Sequence, residues 1–100
     1  MARDFREVDP RELRVPGSRS GGADPVKLHE QIRQFGGSTA GMPPLWVYEA
    51  ADGVLVIYNG VTRATRVAKV SPPGTRVRVE VIGKLNRGHG ASPSIGDLVS

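Results

Sequence analysis

Apolar and polar positions change rhythm several times along this chain, and each rhythm predicts an element. Phe5-Arg-Glu-Val8 is a short strand candidate, stopped at Asp9-Pro10. Arg11 to Val15 fits either a brief helical turn or an extended segment. Pro16 to Gly22 is a loop by composition. Asp24-Pro25 then opens the clearest helix, with Asp24 as N-cap and Pro25 at the first helical position. Leu28, Ile32 and Phe35 make one apolar stripe, expected to face the core, and Gly36-Gly37 ends the helix. A second loop, 36–44, closes on Pro43-Pro44.

Leu45-Trp-Val-Tyr-Glu49 reads as a strand, and Asp52-Gly53 carries the signal of a hairpin turn. Val54 to Tyr58 returns as an unbroken apolar run, which predicts a central strand buried on both faces. Val61 to Val70 has helical spacing, with Val61, Ala64 and Ala68 on one side, and Ser71-Pro-Pro-Gly74 terminates it. From Arg76 to Ile82 the chain alternates cleanly. Val77, Val79 and Val81 face one way and Arg76, Arg78 and Glu80 the other, the pattern of a half-buried strand. The reading is a folded unit over 1–83 and a loop-rich tail over 84–100, where Ile95, Leu98 and Val99 can dock a last turn.

Composition narrows the class. One hundred residues, 38% of them hydrophobic, suit a single small domain with a modest core of Val, Leu, Ile and Ala. No cysteine is present, which removes disulfides, thiol catalysis and thiolate metal sites. The N-terminus is charged and lacks an apolar signal core. No apolar run approaches the roughly 18 residues of a membrane span. The expectation is a soluble, cytoplasmic protein with no membrane partner, and an excised end of a longer protein also fits.

Charge is distributed unevenly. The net is +4, yet residues 61–90 alone carry seven bases (Arg63, Arg66, Lys69, Arg76, Arg78, Lys84, Arg87) against Glu80. A positive segment of this kind attracts nucleotides, nucleic acid or other anions. With only five aromatics in the chain, a base-stacking platform has little support from composition. Trp46 and Tyr48 alternate with Val47 and are expected to cover one sheet face, with ligand stacking as the lesser reading.

The densest chemistry lies at Val56-Ile-Tyr-Asn-Gly60-Val-Thr-Arg63. A strand, a glycine turn and a helix N-terminus together aim backbone N–H groups at an anion. Gly60 permits a positive φ, Val61 and Thr62 begin the helix, and Thr62 adds a hydroxyl. Arg63 and Arg66 stand three apart on one helical face, as guanidinium forks suited to phosphate. The plainer alternative is a turn whose arginines pair with Glu49, Asp52 or solvent. Gly36-Gly-Ser-Thr-Ala-Gly41 lacks the Lys-Ser/Thr of a P-loop and follows a helix, not a strand. His29 and His89 form no metal-binding pattern, and the carboxylates Asp4, Glu7, Asp9, Glu12 and Asp52 are too dispersed to hold a catalytic Mg²⁺.

Three places in this order resemble the ParB N-terminal-like and sulfiredoxin superfamily, which includes the ParB-like nuclease domains. They are Val8-Asp-Pro-Arg-Glu-Leu13, the helix Leu28–Phe35 leading into Pro43-Pro44-Leu-Trp-Val47, and the Asn59-Gly60-Val-Thr-Arg63 turn. The resemblance implies an α+β fold, a small mixed curved sheet with two main helices. It also implies that Gly60 and Arg63 contact the phosphates of a nucleoside triphosphate, carried with Mg. In the family fold the 36–44 loop lies near the nucleotide, so Ser38 and Thr39 become secondary contacts. The departures are specific. Val61 and Thr62 occupy the places of sulfiredoxin's cysteine and histidine, and of the acid and first arginine usual in ParB, so the chain reads as a divergent member without sulfiredoxin activity.

Three functions follow. The first is a module binding a nucleotide phosphate or nucleic acid, without catalysis of its own. The second is a protein-interaction partner of toxin–antitoxin or effector type with a vestigial pocket. The third is a nucleotide hydrolase or nuclease.

Overall fold

Residues 3–99 are described by a computed structural model. Strand β1 (Asp4–Val8) stops at a 3₁₀ turn, Pro10–Glu12, whose N-cap Asp9 carboxylate accepts from the Arg11 amide. The chain then runs extended through Leu13–Val15, so both readings of this segment are realised in sequence. Helix α1 (Pro25–Phe35) begins as its sequence dictates: the Asp24 carboxylate accepts from the amides of Val26 and Lys27, and Pro25 needs no N–H there. Gly36, at φ 57°, ends it.

Strands β2 (Leu45–Glu49) and β3 (Leu55–Asn59) form an antiparallel hairpin, with Gly53 at φ 86° in the turn. Helix α2 (Val61–Val70) and strand β4 (Val77–Lys84) follow, and a short α3 (Ile95–Val99) closes the chain. Among the described residues this is an α+β fold of three helices and one open, mixed four-stranded sheet, ordered β1-β4-β2-β3. Strand β4 is antiparallel to β1 and parallel to β2. Parallel neighbours need a crossover, which β3 and α2 together supply.

The alternation of β4 sets the register. Val77 pairs with Val8, and Val79 pairs with Arg6 on one side and Leu45 on the other. Val77 and Val79 are buried, Val81 packs partly against the core, and Arg76 and Arg78 are exposed. Leu45, Val47 and Ile57 complete the sheet side of the core, while Val61, Ala64, Val67 and Ala68 supply the helix side from α2.

Two expectations fail here. The apolar run of β3 is not central: β3 is the last strand of the sheet, and β4 is the one paired along both edges with β1 and β2. The run is apolar because Val56 and Ile57, on opposite faces, are both buried. Among the described residues its outer edge is met at Arg14, whose amide donates to Leu55 O and whose carbonyl accepts from Ile57 N. The stripe Leu28, Ile32 and Phe35 also misses the core. No residue of α1 is buried, and Phe35 is 50% exposed, for α1 rests chiefly on α2.

Of the 84–100 tail, the described residues 84–99 are mostly loop but fold into the same unit. Ile95 is fully buried in the core and its amide donates to Leu13 O, and Val15 N donates to Pro93 O. Asp52 of the hairpin turn holds the loop before it, accepting from Gly90 N at 2.7 Å.

Candidate functional site

The site begins with a constraint at Gly60. It precedes α2 at φ 122°, a conformation that L side chains rarely adopt. A Cβ there would lie 2.5 Å from Leu45 Cδ2 in the core and 3.2 Å from Arg63 Nη2. The helix therefore starts where a bare backbone fits between the core and a guanidinium. No side chain caps α2, so the first amides of the helix are left to other acceptors.

Arg63 bends back toward that N-terminus and donates once, to Pro43 O at 2.9 Å. Arg66, one turn on, is only 2% exposed. Its guanidinium donates to Gly36 O and Ser38 O, touches Met42 S at 3.6 Å and lies 5.3 Å from the centre of the Phe35 ring. Arg66 thus pins the 36–44 loop to α2. Among the described residues no carboxylate forms an ion pair with either arginine. Glu49 is engaged by Arg6 and Lys84, and Asp52 by backbone amides, so neither is a partner for Arg63 or Arg66. Burial lowers the pKa of both arginines, and the Arg66 charge lowers that of Arg63 further. Both remain cations near neutral pH.

The two guanidiniums line a cavity of about 110 Å³, with Ser38, Met42, Pro43, Gln31 and Phe35 among the other walls. Two polar atoms of these lining residues, Arg66 Nε and Gln31 Oε1, are fully buried and have no hydrogen-bond partner among the described residues. Buried polar atoms are normally satisfied, so these two hold unmet hydrogen-bonding capacity beneath the cavity surface. Arg63, Gln31, Phe35 and Pro43 also border an open groove of about 680 Å³, whose far wall is Phe5, Trp46 and Asn59.

Of the residues singled out in the sequence, Arg63, Arg66 and Ser38 come together, and Gly60 lies against Arg63. Val61 is buried in the core and Thr62 half-buried at the helix start. Thr39 does not line the cavity; its carbonyl accepts from Met42 N within the loop. Sequence reasoning missed Gln31, Phe5 and Phe35 as site residues. Gln31 carries no motif, and the aromatics arrive from β1 and α1, so only the fold brings them to Arg63. A further cavity, of about 530 Å³, is lined by Arg6, Arg11 and Arg14, but Arg6 is neutralised by Asp4 and Glu49.

Among the described residues no three His, Asp or Glu side chains are placed to hold a metal ion, and no helix is long and apolar enough to cross a membrane. Set against known proteins, the chain matches no family model, no curated protein and no solved structure.

Proposed function

We propose that this domain binds the phosphate of a nucleotide at Arg63 and performs no chemistry of its own. One observation carries the reading: two arginines without carboxylate partners among the described residues line one small cavity, and Arg63 also reaches toward Gly60 at the start of α2. A helix N-terminus and a guanidinium both favour a dianion. The cavity, at about 110 Å³, is far below the roughly 300–1,000 Å³ of a whole small-molecule site, so it suits a phosphate group alone. The adjoining groove is of the larger scale and offers Phe5, Trp46 and Phe35 as apolar walls for a nucleoside. The resemblance to ParB-like domains at Gly60 and Arg63 supports the same assignment. Mg²⁺ would enter with a triphosphate.

The test is thermal stabilisation by ATP, CTP, GTP, NAD and pyrophosphate, with and without Mg²⁺, in wild type and Arg63→Ala. At least one phosphate compound should stabilise wild type and none should stabilise the variant. A charge-assisted contact of this kind contributes about 1.5–3 kcal/mol. Equal responses in the two proteins, including none, would end this reading and leave the protein-interaction module in its place.

A further inference from the structure

The sheet has a second face, opposite the core that α2 covers. Register places Phe5, Trp46, Tyr48 and Tyr58 there, four of the five aromatic residues of the chain, drawn from three strands. Trp46 and Tyr58 stack with ring centres 6.4 Å apart and planes 21° apart. Tyr48 meets Tyr58 edge-on at 5.7 Å and lies over Gly83, where a Cβ would approach its ring to 3.0 Å. The cluster is therefore braced from below by bare backbone. Its outer members remain in water all the same, Trp46 at 45% and Tyr58 at 60% exposure. Contiguous exposed aromatic surface marks a binding face.

The charges around it indicate what binds. Arg78 is on the same face, 4.5 Å over the Phe5 ring, and Arg76 stands just before β4. Glu7 and Glu80 are the acids of the face, and Arg3 lies 3.7 Å from Glu80. Phe5 and Trp46 continue into the groove that ends at Arg63. A duplex keeps its base faces inside its own stack, whereas a single strand presents bases to aromatic rings and phosphates to arginines.

We propose that this open face binds single-stranded nucleic acid, with bases stacked on Trp46 and Tyr58 and the backbone following Arg78 toward Arg63. The platform is separate from the cavity behind Arg63, and its success or failure does not depend on mononucleotide binding there.

Trp46 is the only tryptophan, so its fluorescence reports on the platform directly. Single strands of about ten nucleotides suit a surface of this size. Unlabelled strands, titrated at about 50 mM salt, should quench Trp46. Fluorescein-labelled strands should show binding by anisotropy, weakened about tenfold or more by Trp46→Ala and by Tyr58→Ala. Trp46→Phe should restore most of the affinity, which loss of charge or of folding would not allow. Tyr58 is largely exposed, so its truncation leaves the fold intact, as circular dichroism would verify. Arg63→Ala should reduce the salt dependence while the quench persists. The proposal is overturned if single strands produce neither quench nor anisotropy change. It is equally overturned if duplex binds as well and the aromatic variants bind like wild type, or if Trp46 responds only to protein concentration, which would make the face a self-association surface.

Discussion

Gly60 shows how much a single position can decide. Its φ of 122° and the 2.5 Å approach to Leu45 Cδ2 both exclude a side chain. Gly60→Ala should lose about 1–3 kcal/mol in urea unfolding, and phosphate response with it, because strain at such a backbone costs that much. Arg63 and Arg66 divide their work. Arg66 is held by two carbonyls of the 36–44 loop, so Arg66→Ala should loosen that loop and lower stability even without ligand, whereas Arg63→Ala should act chiefly on ligand response. Asp52 gives a pH signature. Desolvation pushes its carboxyl up, but the amides of His89, Gly90, Val54 and its own outweigh this and hold it below the usual carboxylate range. A lowered pKa in the fold stabilises above the unfolded value and is lost as pH falls through the folded one. Asp52→Asn should therefore melt below wild type at neutral pH, with the difference closing below about pH 4 in a melting series.

Elements differ in how firmly they are held. Helix α1 rests on its cap more than on burial, since none of its residues is buried. Asp24→Ala should cost about 0.5–2 kcal/mol and raise hydrogen exchange along its first turn. Phe35→Ala should change stability far less than Leu45→Ala or Ile57→Ala, each of which removes a fully enclosed side chain at about 2–5 kcal/mol. Ile95→Ala belongs with the latter pair by the same measurement, because the last helix plugs the core beside Leu13. The boundaries of α1, β2 and α2 were legible in the sequence because local chemistry sets them: Asp24 and Pro25, Pro44, Gly60, and Ser71 before two prolines. The position of β3 at the sheet edge was not, because an apolar run records how many faces are covered and says nothing of which strands lie beside it.

At the scale of the whole molecule, basic charge is spread over α2, β4 and the segments that flank β4. The chain carries a net +4, concentrated in residues 61–90. Sequence-independent attraction to nucleic acid should fade as salt rises, with the retardation seen in a low-salt gel shift lost as ionic strength increases, since each phosphate contact releases counterions. The candidate site was partly legible: Gly60, Arg63 and Arg66 were marked by a strand, a glycine and a helix in immediate succession, and Ser38 by a loop of small residues. Gln31 and the aromatic groove were not, because they are assembled from α1, β1 and β2 across the sheet. The sequence by itself determined the elements, their order and the two faces of β4, since caps, turn residues and period-two alternation act within a few residues. Tertiary structure alone decided the strand order, the burial of Arg66 against loop carbonyls, the inclusion of Ile95 in the core and the gathering of four aromatics on one open face. Those outcomes depend on which distant segments pack together, and pairing across the sheet leaves no local trace in the chain.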